Sequence, residues 1–208
     1  MDDFFTRVTT RRNPWPTGRR DLHWHVLPDP VTARALAGTW HAAAAHPGLN
    51  PVPEQWLHVT VLHAGPTSEA SGEQIQAMAD LVREQARHVA PFDLLLGRPQ
   101  VGTVALECAG TPGAPARRLW ELTAAATRAV FGNEPPLLPA LYYPHCSIAY
   151  AGPDGHLADR TALKALLSDV PGGPVTIPVT RLALVSQWHD GRSLIQWEPL
   201  LEIPLGAP

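Results

Sequence analysis

The chain has 208 residues, of which 45% are hydrophobic, and its formal net charge is −3 at pH 7. A chain of this length can bury a full core without disulfides, and its two cysteines are too few for a disulfide framework. The cationic residues form no long run, which argues against binding along a long nucleic-acid duplex. No segment is typical of a signal peptide or a membrane span, so we expect a soluble, cytoplasmic monomer.

The first 20 residues show weak periodicity and several Pro/Gly breakers, which predicts an N-terminal arm ahead of a single domain over residues 21–208. In the first half of that domain, apolar or alternating runs predict strands, and alanine-rich or amphipathic runs predict helices. The predicted elements there are a strand over 22–27, a helix over 31–45, a strand over 56–64, and a helix from a Ser71–Gln74 capping box to Pro91.

The second half of the chain repeats this order of elements. Residues 92–108 are interpreted as two strands, the second interrupted by Gly102. The later predicted elements are a helix over 116–131, a strand over 142–151, a helix over 157–170, and closing strands over 175–187 and 193–205. Hairpins mixed with helices, without a strict βαβ rhythm, predict an α+β fold with antiparallel pairing.

Two predicted strands carry the same pattern, a histidine and a hydroxyl residue separated by an apolar residue. The copies are HVTV at 58–61 and HCSI at 145–148. His-x-[Ser/Thr] alone is expected about once by chance in this composition, whereas apolar residues at the second and fourth places lower the expectation to about 0.2. Either copy taken singly is more often a hydrogen-bonded core histidine. Two matched copies indicate a site.

Strand geometry gives each copy a chemical meaning. Side chains at i and i+2 share a face, so His58 lies beside Thr60 and His145 lies beside Ser147, while the intervening residues face the core. Two imidazoles on opposite sides of a phosphate can act as general base and general acid in phosphoester cleavage. The hydroxyls can hydrogen-bond the non-bridging oxygens. This chemistry calls for no metal and no cofactor.

With these motifs the chain resembles the 2H phosphoesterase superfamily, in particular its 2′-5′ RNA ligase-like and RNA 2′,3′-cyclic phosphodiesterase members. The resemblance covers about residues 21–206 and includes LHWHVLPD, RLALVSQ and IQWEPLLEIPLG. It implies a bilobal α+β fold with pseudo-two-fold symmetry, in which two antiparallel sheets face a central cleft and helices lie outside.

The same resemblance implies metal-independent opening of a 2′,3′-cyclic phosphate, on a small nucleotide or an RNA end, with 2′-5′ ligation as the reverse reaction. By position, it implies a catalytic set of His58, Thr60, His145 and Ser147. By analogy we assign His145 as the base and His58 as the acid, although the residues alone leave this order open. The alternative hypothesis is a non-catalytic module that binds nucleotides or RNA ends.

Several further residues are candidates for substrate contact. Aromatic side chains next to the motifs could stack on a base, and cations in loops could bind phosphate. The candidates are Tyr143, Arg192 and His25, with Tyr142, Trp56 and Arg98 as weaker ones. His63 is expected on the strand face opposite His58, in a structural role. His23 and His25 share a face but lack a third ligand, so no metal site is predicted.

Overall fold

The structure is a computed structural model that describes residues 1–11, 13–132 and 142–206. Most of the predicted loop at 132–140 therefore lies outside the described residues. The helices are α1 (Phe4–Thr10), α2 (Pro30–Thr39), α3 (His41–Ala44), α4 (Gly72–Ala86), α5 (Gly113–Phe131) and α6 (Arg160–Asp169). The strands are β1 (Asp21–Val26), β2 (Leu49–Pro51), β3 (Val59–Pro66), β4 (Phe92–Val101), β5 (Ala105–Thr111), β6 (His145–Ala151), β7 (Val175–Val179), β8 (Arg181–His189) and β9 (Ile195–Pro204).

The strands pair antiparallel throughout the described residues, which confirms the predicted α+β class. Their order is β7-β4-β5-β6-β3-β1-β8-β9, with β2 pairing along β6. The two predicted sheets are thus two four-stranded halves, β7-β4-β5-β6 and β3-β1-β8-β9. One pair of residues, Val59 and Cys146, joins the halves into a continuous, strongly curled sheet.

The helices lie on the outside of the curled sheet and hold the halves together. α4 and α5 pack together and cover the half that contains β3 and β9. α2, α3 and α6 cover the other half, on β7, β2 and β4 respectively. Because α2 and α3 lie between β1 and β3 in the chain, they cross from one half to cover the other. This exchange matches the predicted pseudo-two-fold repeat.

Two predicted elements differ from the structure. The helix expected over 31–45 breaks at Trp40, whose φ of −106° and ψ of 11° leave the helical region while its side chain is buried. Residues 92–108 form two strands as predicted, but Gly102 does not interrupt the second strand, because β4 continues through a bulge to Val101. Gly102 lies in the hairpin turn between β4 and β5. A side chain at this position would meet the Ala105 carbonyl oxygen at 2.9 Å, which is why glycine fits there.

The first 20 residues, expected to form an arm, pack against the body of the protein. Phe5 is 0% exposed and Trp15 is 4% exposed. The Phe5 ring lies 6.1 Å from Tyr150, and the amino terminus of Met1 donates a hydrogen bond of 2.7 Å to the Gly155 carbonyl. Met1, Phe5 and Trp15 are widely spaced in the sequence and follow neither a helical nor a strand period. The hydrophobic pattern of the first 20 residues therefore did not indicate that they are buried.

Candidate active site

The two motifs meet where β3 pairs with β6. Val59 pairs with Cys146, and both side chains are buried. In an antiparallel pair with this register, His58 lies opposite Ser147 and Thr60 lies opposite His145. All four side chains share one face of the sheet. The two histidines are diagonal neighbours in this arrangement, about 7–8 Å apart. A phosphate group fits between two rings at that separation.

Both histidines are held by the same local contact. Nδ1 of His58 lies 2.7 Å from the Trp56 carbonyl, and Nδ1 of His145 lies 3.2 Å from the Tyr143 carbonyl. In each case the carbonyl belongs to the residue two places earlier. A carbonyl accepts, so each Nδ1 carries the proton and each Nε2 is left for chemistry.

His58 lies in a dry environment. It is 7% exposed, and its ring stacks on His25 at 4.2 Å between centroids with an interplanar angle of 17°. Burial lowers the pKa of His58 to about 4, although the hydrogen bond to the Trp56 carbonyl opposes this, and the charge of His145 adds to the lowering. The His58 ring is therefore neutral at pH 7 in the free protein.

His145 lies in a wetter and more charged environment. Its side chain is 32% exposed, and its Nε2 lies 3.9 Å from a carboxylate oxygen of Glu107. The half-exposed ring of Tyr143 lies 4.8 Å from the His145 ring, and its hydroxyl donates to Glu107 at 3.4 Å. Tyr143 thus lies beside the motif with half of its side chain exposed.

The strand bulges change the expected orientation of His63. Irregular pairing between β1 and β3 places Thr60 opposite His25 and His63 opposite His23. The prediction that strand alternation puts His63 on the face opposite His58 is therefore wrong, because the bulge shifts the alternation by one residue. The His63 ring stacks on His23 at 4.4 Å.

His63 nevertheless has a structural role, in a buried ion-pair cluster. Its Nε2 lies 2.7 Å from Asp21, and Arg19 binds the same carboxylate through two nitrogens at 2.7 Å each. Burial alone would raise the pKa of Asp21, but hydrogen bonds from His63 and Arg19 outweigh it and hold the pKa below its ordinary value. This cluster closes the end of β1 that is farther from the motifs.

Three residues expected to contact substrate lie elsewhere. His25 is 0% exposed behind His58, so burial argues against direct contact with substrate. Arg192 lies beyond His189, at the opposite end of β8 from Ala183, which pairs with His25. That stretch of strand spans about 20 Å. Arg98 donates instead to backbone carbonyls at the end of α6, and so caps that helix.

Four buried polar atoms cluster behind His58, and the sequence motifs gave no sign of two of the residues that carry them. Both ring nitrogens of His25, Oε1 of Gln187 and Nε1 of Trp197 make no short hydrogen bond among the described residues, although the Gln187 side chain lies close enough to act on the His25 ring as a weak hydrogen-bond partner. The Trp197 ring lies edge-on to His25 at 6.1 Å and edge-on to Trp56 at 5.4 Å. No short motif marks Gln187 or Trp197, because their closeness to His58 arises only when β8 and β9 pair beside β1.

The described residues contain neither a candidate metal centre nor a membrane-spanning helix. No group of three or more His, Cys, Asp or Glu side chains in that part of the chain could hold a metal ion. No helix there is long and apolar enough to cross a membrane.

The matched motifs on paired strands agree with comparisons to known proteins. The family model of the 2′-5′ RNA ligase superfamily matches residues 28–191, which include both motifs. The chain belongs to this superfamily. The predicted resemblance to 2H phosphoesterases is thereby confirmed. No curated protein matches the sequence of this superfamily member.

Solved structures confirm the fold of this 2H phosphoesterase. E. coli LigT complexed with 3′-AMP superposes with a TM-score of 0.66 at 16% identity, covering 91% of this chain and 99% of LigT. A structure described as a phosphoesterase gives 0.66 at 16% identity, covering 90% and 99%. The protein TT0787 of Thermus thermophilus gives 0.63 at 25% identity, covering 89% and 98%.

Proposed function

We propose that this 2H phosphoesterase opens the 2′,3′-cyclic phosphate of a nucleotide or RNA end by two-histidine acid–base catalysis. The observation that carries the proposal is the antiparallel pairing of the two motifs at Val59 and Cys146. This pairing puts two Nε2 atoms and two hydroxyls on one face. The family match supports phosphoester chemistry, and the cyclic substrate is the finer step proposed here.

In this mechanism water attacks phosphorus while the bond to one ribose oxygen breaks. One histidine accepts the proton of the attacking water through Nε2, and the other donates its proton to the departing ribose oxygen. Thr60 and Ser147 donate hydrogen bonds to the non-bridging oxygens, where negative charge builds up. If a ribose 5′-hydroxyl replaces water as the attacking group, the same ring opening breaks the phosphorus–3′-oxygen bond and leaves a 2′-5′ linkage, which is ligation.

The surroundings of the two rings favour one direction of proton transfer. A base must be neutral before the reaction, and buried His58 meets that requirement. An acid must carry a proton, and His145 has the Glu107 carboxylate beside it as a partner for the cationic ring. We therefore assign His58 as the base and His145 as the acid. This reverses the order inferred by analogy from the sequence.

The substrate is expected to be small or to be the end of a strand. Tyr143 is 53% exposed beside His145, where it can stack on an unpaired base. LigT has been crystallised with 3′-AMP and with ATP, which supports nucleotide binding in this fold. Arg98 and Arg192, the two cations considered as phosphate ligands, lie away from the motifs, which disfavours a long phosphate backbone as substrate.

Hydrolysis of a panel of 2′,3′-cyclic nucleotides and cyclic-phosphate RNA ends, with chelator present, tests the proposal. We expect turnover by the natural chain and loss of turnover in His58→Ala and His145→Ala. His88→Ala, an exposed histidine outside the cleft, is the matched control. Activity that needs a metal, or that survives in both variants, contradicts the proposal. Tight binding without turnover would instead support the non-catalytic module.

A further inference from the structure

Glu107 is an acidic side chain on the inner face of the sheet that neither motif includes. Its Cα pairs with Ser147 across β5 and β6, so the two side chains share the face that carries the histidines. One carboxylate oxygen lies 3.9 Å from Nε2 of His145, and the other accepts a hydrogen bond of 3.4 Å from the Tyr143 hydroxyl. The carboxylate is 27% exposed, so it reaches the cleft.

We propose that Glu107 is a positioning residue of this site, whose carboxylate pairs with the His145 ring and whose charge disfavours the reaction product. The inference rests on the proposed function. Glu107 neither donates nor accepts a proton in the reaction, and it acts through His145 and through charge.

Several charged or titratable groups face His145 in the described residues. They are Glu107 on β5, Tyr143 ahead of β6, and His58 on β3, which in turn stacks on His25. Glu107 is the one carboxylate among them, so it supplies the negative charge next to the His145 ring. A carboxylate within about 4 Å of an imidazole stabilises the cationic form of the ring. His58 has no ion pair with a carboxylate among the described residues, so the two rings differ in this respect.

The same charge distinguishes substrate from product. A cyclic phosphodiester carries one negative charge, whereas the phosphomonoester formed by its hydrolysis carries about −1.5 to −2 at pH 7. In the reaction, the water oxygen bonds to phosphorus, the phosphorus–ribose oxygen bond breaks, and His145 delivers its proton to that ribose oxygen. After the reaction, the Glu107 carboxylate lies next to a more negative group. Its repulsion therefore weakens binding of the product more than binding of the substrate.

The test compares Glu107→Gln, which removes the charge but keeps the shape, with Glu107→Asp, which keeps the charge. Glu202→Gln is the matched control, because Glu202 is an exposed strand carboxylate paired with Arg181 outside the cleft. The measurements are kcat and KM for adenosine 2′,3′-cyclic phosphate across pH, and the Kd values of adenosine 2′- and 3′-monophosphate. Thermal unfolding checks that each variant is folded.

We expect Glu107→Gln to lower kcat about 10-fold or more, with little change in KM. We expect the same variant to bind the monophosphates several-fold more tightly. Glu107→Asp should retain more activity than Glu107→Gln, and Glu202→Gln should match the natural chain.

Unchanged kcat and unchanged monophosphate affinity in folded Glu107→Gln would overturn the inference. Equal losses in Glu107→Gln and Glu107→Asp would also overturn it, because they would show that shape rather than charge matters. An inactive natural chain would be a failure of the proposed function itself. If the natural chain is active and the Glu107 variants are equally active, only the inference about Glu107 fails.

Discussion

The two motif strands have the same local design but different surroundings. In both, the histidine Nδ1 binds the carbonyl two residues earlier, and the central apolar residue is buried. His58 then stacks on buried His25 of β1, whereas His145 lies beside Glu107 of β5 with a third of its side chain exposed. A symmetric pattern thus yields two unequal proton-transfer groups, because each strand has a different neighbour.

The largest expected effect comes from removing either ring. His58→Ala and His145→Ala should each lower kcat by about 10²- to 10⁴-fold, since acid and base act in the same step. The double variant should be little slower than either single variant, because the two rings act as a unit. Steady-state kinetics on a cyclic nucleotide measures this. Two losses that multiply would show that the rings act independently.

Removing either hydroxyl should have a smaller effect on kcat, and the effect should be similar for the two residues. Thr60→Val and Ser147→Ala should each lower kcat by about 10²-fold by removing a donor to the charged phosphate oxygens. KM should change less than kcat if the contact strengthens in the transition state. Thr176→Val, on the exposed face of β7, is the control and should keep full activity. A variant that affects KM alone would indicate ground-state binding.

The pH profile tests which ring is the base. Because the lowered pKa of His58 is about 4, the base stays neutral as pH falls to 5, and kcat/KM declines only near pH 4. A base with the ordinary pKa of about 6.5 would leave only about 3% of the enzyme competent at pH 5, roughly 30-fold less. Profiles of kcat/KM from pH 4 to 8 measure the difference. A midpoint near 6.5 would contradict the assignment of His58.

The buried carboxylate cluster belongs to one half alone, so its loss should affect stability rather than turnover. Asp21→Asn should cost about 2 kcal/mol, reduced from a fully buried pair because Arg19 and His63 are partly exposed. Since the pKa of Asp21 is depressed, this stability is present above pH 4 and is lost as pH falls through the folded-state pKa. Urea unfolding at pH 7 and pH 3 measures it. Asp93→Asn, on the exposed side of β4, should change neither value.

The smallest effect on activity is expected at the centre of the second motif. Cys146→Val makes the apolar place of that motif match Val59 and adds about one methyl group at a buried position. It should change activity by less than about 2-fold and lower stability by about 1–3 kcal/mol. Burial raises the pKa of the Cys146 thiol to about 12, so the thiol is not a nucleophile at neutral pH. A loss of activity beyond 10-fold would contradict a packing role.

The sequence by itself determined the α+β class, the two motif strands and the orientation of His58, Thr60, His145 and Ser147, because strand period and hydrophobic alternation are local properties. It did not reveal the bulge that turns His63, the burial of His25, or the nearness of Glu107 and Trp197. Those features depend on the register between strands that are far apart in the chain. The tertiary structure alone decided which histidine is dry and which has a carboxylate beside it, since pKa and charge depend on contacts that no single segment contains.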